Sequence, residues 1–229
     1  MSARGLELEL ELPGGGRALF TTRSAGNLST RAGEEPERGL QRREQLCESL
    51  RLQWLCASPQ VHGTNVQRVH DVSGAGGQPL AESADGHATA LRGIGTMVLA
   101  ADCLPVALGC AGAVAMLHAG WRGLAAGVLE EGVLALRELA GEQPITAIVG
   151  PGAGACCYEV GAEVHRALGV AEGAAGHIDL RAIAHERLLG AGVSRVLDVD
   201  VCTICDRRFF SHRREGERAG RQAGVAWLS

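Results

Sequence analysis

Three short segments hold the side chains able to do chemistry: Gln60-Val61-His62-Gly63, Ala101-Asp102-Cys103-Leu104-Pro105 and His118-Ala119-Gly120-Trp121-Arg122-Gly123. Each sets an imidazole or a thiol beside a glycine, a proline or the end of an apolar run. Two imidazoles and one thiol make a three-donor set for a soft divalent metal, with the fourth position left for water or substrate. The same groups also make a cysteine nucleophile, Cys103, with His118 or His62 as its base. Both readings are enzymatic, and spacing does not choose between them. A third, a binding module without catalysis, requires the three residues to lie apart in the fold.

Other chemistries drop out on residue types. The chain has no lysine, so its 22 basic residues are all arginine. Schiff-base chemistry and a P-loop lysine are excluded. The zinc cytidine deaminase signature is missing, because no His-x-Glu occurs and Cys202 follows valine. No His-x-His pair of the multicopper kind is present, although a single copper would suit His/Cys donors. The separations between His62, Cys103 and His118 match no local zinc-finger spacing. Cys202-Thr203-Ile204-Cys205 is a Cys-x-x-Cys pair without a companion histidine at zinc-ribbon distance, and reads as two part-buried thiols near a strand end, with a redox or structural-metal role as the minor option. Cys156 and Cys157 read as packing residues. The loop at 150–154 fits neither a P-loop nor a dinucleotide fingerprint, so a plain turn is expected there, with anion binding by its amides as the minor option.

Composition bounds the rest. The chain has 229 residues, 46% hydrophobic and 21% charged, ordinary for one globular domain with a sizeable core. Its 33 glycines fall between apolar runs and mark turns. A net charge of -4 offers no basic field for nucleic acid. The arginines between 207 and 214 read as a solvated surface or a small-anion contact. The first residues show no apolar h-region, so no leader is expected, and no run reaches the ~18 apolar residues that a membrane span needs. With eight cysteines and no export signal, reduced thiols and a cytoplasmic location are expected.

The elements that must position these groups follow from periodicity. Alternation over 6–12 predicts a half-buried strand, with 17–21 as its hairpin partner. A helix is expected over 34–52, a short strand at 54–57, a strand at 66–70 and a polar loop over 71–88. Apolar runs at 96–101, 104–108 and 113–117 read as buried strands, followed by one long helix over 121–139. Strands at 145–149, 196–201 and 224–228 and helices at 159–168 and 179–189 complete the chain. Mixed elements with no linker predict a single α/β domain over 1–229, built on a mixed sheet. His118, ending a strand before a helix, lies where open α/β sheets hold ligands.

Taken together, the three segments resemble the laccase-domain family, also called the polyphenol oxidase or purine nucleoside phosphorylase family. Supporting matches are Phe20-Thr21-Thr22-Arg23, Asp85 with Thr89, Gly150-Pro151 through Cys157-Tyr158-Glu159-Val160-Gly161, Phe209-Phe210-Ser211-His212-Arg213-Arg214, and Gly220-Arg221. The resemblance implies a layered α/β sandwich, similar to the Cys/His fold of cytotoxic-necrotizing-factor-like toxins. It implies that His62, Cys103 and His118 hold a metal, most often zinc. It also implies phosphorolysis of adenosine, inosine, guanosine and methylthioadenosine, with adenosine deamination as a second activity. Purine nucleosides and phosphate are then the partners, and Arg23 and Arg122 suit the phosphate. Rival readings are a cysteine hydrolase acting on amides like those of peptidoglycan precursors, and a single-copper polyphenol oxidase. In one place the chain departs from the family pattern. Ser24-Ala25-Gly26-Asn27-Leu28 follows Arg23 directly, where the family has a longer Gly- and Ser-containing loop.

Overall fold

The computed structural model describes residues 7–72, 82–170 and 176–229. Leu6 of the first expected strand, and positions 73–81 of the expected 71–88 loop, lie outside the described residues. In chain order the elements are β1 (Leu8–Leu12), β2 (Gly16–Phe20), α1 (Gly39–Ser49), β3 (Trp54–Cys56), β4 (Val66–Val69), β5 (Gly86–Thr89) and β6 (Ile94–Ala100). There follow β7 (Leu104–Cys110), β8 (Ala113–Ala119), α2 (Trp121–Ala126), α3 (Val128–Ala140), β9 (Thr146–Val149), β10 (Glu159–Val160) and α4 (Ala162–Leu168). The last are β11 (Gly176–His177), α5 (Leu180–Gly190), β12 (Arg195–Asp198), α6 (His212–Glu215) and β13 (Gln222–Leu228).

Two mixed sheets stack face to face. One runs β1-β2-β13-β6-β3 and the other β12-β9-β7-β8-β5-β4. Alternate side chains explain why so many strands are apolar throughout. Along β8, Val114 and Met116 enter the layer between the sheets with Phe20, Val98 and Ala226. Ala113, Ala115 and Leu117 face the opposite way, onto Leu129, Val133 and Leu136 of α3. On the far side of the other sheet, Leu19, Val225 and Trp227 pack with Leu46 of α1. The result is a helix–sheet–sheet–helix sandwich, the layered α/β architecture expected from the sequence.

Local departures from the expected elements have local causes. The helix expected over 121–139 is two helices, because Gly127 adopts φ 101° and its N–H closes α2 on the Gly123 and Leu124 carbonyls. A short 3₁₀ turn at Pro36–Arg38 precedes α1, which begins only at Gly39. β5 emerges from within the expected polar loop. The segment expected as a helix from 159 opens with β10, paired to β11. β12 ends at Asp198, shortly before Asp200 turns to φ 52°. β13 starts at Gln222, two residues ahead of the expected strand.

One consequence of the stacked sheets is a buried imidazole. His87 of β5 is fully buried and shares a 2.9 Å hydrogen bond with the Ser58 hydroxyl. Burial pushes its pKa down to about 4, against smaller opposing effects of the Met97 backbone and the Asp85 charge. An unfolded histidine titrates at ~6.5, so as pH falls from there towards 4 the unfolded chain takes up the extra proton and stability is lost. The loss should total ~3 kcal/mol. Urea midpoints across this pH range should therefore show an acid slope that His87→Phe removes; an unchanged slope would assign it elsewhere.

Candidate active site

Cys103 lies where the chain leaves one sheet for the other. β6 belongs to the five-stranded sheet and β7 to the six-stranded one, with Asp102-Cys103 at the crossing. Asp102 takes φ 89° there, a conformation that costs a non-glycine residue energy unless its surroundings hold it. They do: its buried carboxylate accepts from Thr203 Oγ1 (2.7 Å), Ser211 Oγ (3.1 Å) and the Arg213 N–H (2.7 Å). His118 pairs with Pro105 across the β7–β8 ladder, so the antiparallel hairpin returns it beside Cys103. His62 comes from the β3–β4 connection, also at a positive φ of 59°.

The three donors meet. Nitrogen and sulfur atoms of His62, Cys103 and His118 all lie within 4.8 Å of one another, and the two imidazole rings stand edge to face at 4.9 Å. His118 is buried, Cys103 half-buried and His62 exposed, so the set opens to solvent on one side. Gly120 is what lets the donors close up. A Cβ there would stand 2.9 Å from Cys103 Sγ and 3.1 Å from His62 Cδ2. Gly120→Ala should therefore leave a folded protein with weakened metal affinity. Metal-buffer competition checks this, and an unchanged affinity would mean that the donors converge elsewhere.

Asp85 organises the set, and sequence reasoning assigned it no role. Its Oδ1 is 2.8 Å from His118 Nδ1 and accepts the His62 N–H at 2.9 Å. Its Oδ2 accepts from Val61 N–H (3.1 Å) and Gly63 N–H (2.7 Å). One buried carboxylate thus aims His118 Nε2 inward and pins the His62 loop, as carboxylates behind metal-binding histidines do. The Gln60 amide anchors the same loop through paired hydrogen bonds to the Leu99 backbone on β6.

The electrostatics are reciprocal. Burial raises the Cys103 thiol, but the His118 charge and hydrogen bonds from both imidazoles outweigh it and hold the pKa below the usual thiol range. Burial lowers His118, but the Cys103 charge and the Asp85 hydrogen bond carry it above the usual imidazole range. For Asp85, burial is outweighed by hydrogen bonds from His118, Gly63 and Val61, and the carboxyl is held below its normal range. Cys103 is therefore favoured as a thiolate, the form needed both to ligate a metal and to attack a carbonyl. A thiolate with two imidazoles and an open side fits a three-ligand metal site with one position free.

A cavity of about 520 Å³ opens over the donors. Arg31, Arg43, Arg122 and Arg221 line it along with His62, Cys103, His118 and His212, and no carboxylate is among its lining residues. Arg122 stacks over the Trp121 ring at 4.2 Å. Arg23 does not line this cavity. Its guanidinium pairs with Glu215, donates to the Phe209 carbonyl and stacks on Phe210 at 4.4 Å. Arg23, suited to phosphate by the resemblance, here ties β2's exit to the 209–215 segment, away from this cavity. Arg221 and His212, quoted above only for resemblance, are on the cavity wall instead. The 150–154 loop is the packed turn expected, with no room for a side chain between Gly152 and Leu104.

Comparison with known proteins places the chain in a family. A family model described as multi-copper polyphenol oxidoreductase laccase matches residues 16–229. The chain belongs to that family. It is 39% identical to a purine nucleoside phosphorylase of Xylella fastidiosa, over 94% of this chain and 88% of the relative. It is 35% identical to purine nucleoside phosphorylase YfiH of Escherichia coli, over 94% of this chain and 95% of that one. Among solved structures, a Neisseria meningitidis protein superposes with a TM-score of 0.83 at 31% identity, covering 97% of this chain and 99% of that one. YlmD from Geobacillus stearothermophilus gives 0.83 at 30%, covering 93% and 92%. The matched region holds every strand of the two sheets except β1, together with the three donors and Asp85. No helix among the described residues is long and apolar enough to cross a membrane.

Proposed function

We propose that this protein is a metal-dependent purine nucleoside phosphorylase, with His62, Cys103 and His118 as metal ligands and zinc as the metal. The observation that carries the reading is the cavity itself: one wall is the three-donor set, and the remaining charge is arginine without a carboxylate. Such a lining suits an anion held against a metal centre, and the volume is in the range of small-molecule sites. The relatives' name, purine nucleoside phosphorylase, points the same way. When bound, the metal supplies a Lewis acid with one open position; copper would suit the same donors.

The residues of the chain supply position and charge. In phosphorolysis a phosphate oxygen bonds to C1′ as the C1′–N9 bond breaks, and the purine leaves with a proton. Arg122 and Arg221 hold the phosphate, so that its oxygen meets C1′ rather than bulk water. Asp85 keeps His118 and His62 aimed at one point throughout. Adenosine deamination is the second activity proposed for the same cavity, and needs no phosphate.

A titration of phosphate against inosine cleavage, run beside ammonia release from adenosine, tests this. Arg122→Ala and Arg221→Ala should each raise the KM for phosphate by one to two orders of magnitude, since a charge-assisted contact is worth ~1.5–3 kcal/mol. Ammonia release should fall far less. Arg23→Ala should leave the phosphate dependence unchanged. A metal-loaded wild type inert towards both nucleosides would remove the purine reading.

A second reading is favoured by one specific observation. Cys103, His118 and Asp85 form a thiolate–imidazole–carboxylate relay, the arrangement a cysteine hydrolase of amides requires. The two readings differ in what protects the thiol.

A further inference from the structure

Away from the cavity, four cysteines that sequence spacing keeps in separate pairs come together. The turn after β9 carries Cys156 and Cys157, and the turn after β12 carries Cys202 and Cys205. Backbone hydrogen bonds link the two loops: Gly152 N–H to the Val201 carbonyl at 3.2 Å and Thr203 N–H to the Gly152 carbonyl at 2.9 Å. Cys205 Sγ lies 3.5 Å from Cys156 Sγ and 3.0 Å from Cys157 Sγ. All four sulfurs lie within 4.8 Å of one another. Packing near a strand end, the main expectation for these residues, does not by itself account for four sulfurs drawn together; the minor option of a structural metal does.

We propose that Cys156, Cys157, Cys202 and Cys205 form a second metal site, a closed four-sulfur site for zinc or a similarly soft divalent ion. A tetrahedral ion with ~2.3 Å bonds to sulfur sets its ligands about 3.8 Å apart, a spacing that fits within the 4.8 Å limit enclosing all four sulfurs. The loops are built around the sulfurs. Gly154 N–H donates to Cys202 Sγ at 3.2 Å. A Cβ on Gly154 would stand 3.2 Å from Cys202 Sγ and 3.3 Å from Cys156 Sγ, so a side chain there would crowd both donors. The Arg214 guanidinium grips the Cys-x-x-Cys turn through the Thr203 (2.7 Å) and Ile204 (2.8 Å) carbonyls. No histidine joins the group, so it has no imidazole to act as a general base. Four sulfur donors leave no position open, which marks the site as structural. Four thiols lose their protons as the ion binds.

The site has a job within the fold. Thr203, between Cys202 and Cys205, donates to Asp102, whose strained backbone precedes Cys103. A metal clip on the 202–205 turn therefore props the donor set from behind.

Metal counting on protein purified with reductant and without chelator tests the proposal. Wild type should carry two metal ions per chain. Cys205→Ser and Cys156→Ser should each carry one, and so should Cys103→Ser, which leaves the four-sulfur site intact. Cobalt loaded into Cys103→Ser should show the intense sulfur-to-metal charge transfer and ligand-field bands of four-thiolate coordination, and Cys205→Ser should lack them. The Cys103→Ser measurement stands even if the other variants fail to fold. A Cys103→Ser protein without metal and without that cobalt spectrum would overturn the proposal. So would mass spectrometry finding the four cysteines as disulfides in freshly reduced, metal-replete protein.

Discussion

Cys103→Ser should abolish phosphate-dependent cleavage of inosine while leaving a folded protein. Serine keeps the side chain's shape in a crowded place, so the fold survives. What is lost is the thiolate, since a serine hydroxyl stays protonated at neutral pH and is a poor partner for a soft metal. Tight zinc sites are worth ~10–16 kcal/mol over four ligands, so losing one of them should weaken the metal by two to three orders of magnitude. Metal content and turnover measured on the same sample make the comparison. Retained metal with full turnover would take Cys103 out of the site. The wild type also separates the two readings of the thiol. Held by a metal, Cys103 should resist alkylation until a chelator is added and then react rapidly. A thiol that reacts at once, with activity indifferent to chelation, would favour the amide hydrolase.

Asp85→Asn should come next in size, although Asp85 is not one of the three donors. Four donors converge on its two oxygens: three backbone N–H groups and the His118 ring nitrogen. Asparagine has one acceptor oxygen, so two of the four would face an amide NH₂. A buried donor left unpaired costs ~1–3 kcal/mol. Urea unfolding should show that loss, and metal affinity should drop by about 10–100-fold as His118 and the His62 loop lose their common anchor. Full metal affinity in a destabilised variant would confine Asp85 to the fold.

The difference between these two residues shows what the sequence makes legible. Cys103 and His118 stand at the ends of apolar runs, and such breaks are visible because buried strands have a short, recognisable grammar. Asp85 is one acidic residue in a polar stretch. Its importance lies in four hydrogen bonds made with residues at 61–63 and 118, and no local pattern encodes those. The β6, β7 and β8 strands are read correctly for the same reason that the sheet switch between β6 and β7 is not. Apolar periodicity reports burial, and both sheets are buried. The break at Gly127 is missed because Leu124, Val128 and Leu129 keep a helical apolar face across it, while the φ of one glycine divides the helix. Arg122 has a slight advantage in sequence terms, lying four residues beyond His118, but packing is what separates Arg23, spent on Glu215, from Arg122, which faces the cavity. The meeting of Cys156 and Cys157 with Cys202 and Cys205 likewise depends on the bridge between two loops, a long-range contact that spacing cannot carry.

β13 is the last strand in chain order, yet it occupies the middle of its sheet, between β2 and β6. During synthesis, β2 and β6 leave the ribosome long before the strand that joins them. Until β13 arrives, both present an unpaired backbone edge, the feature that invites pairing with other chains. The Arg213 and Ser211 groups that secure Asp102 emerge at nearly the same late moment. A growing chain therefore holds His62, Cys103, His118 and Asp85 before the groups that fix the Asp102 turn, and the five-stranded sheet closes only once β13 has been made. A stall before residue 222 should leave both edges open, the kind of intermediate that is prone to aggregate.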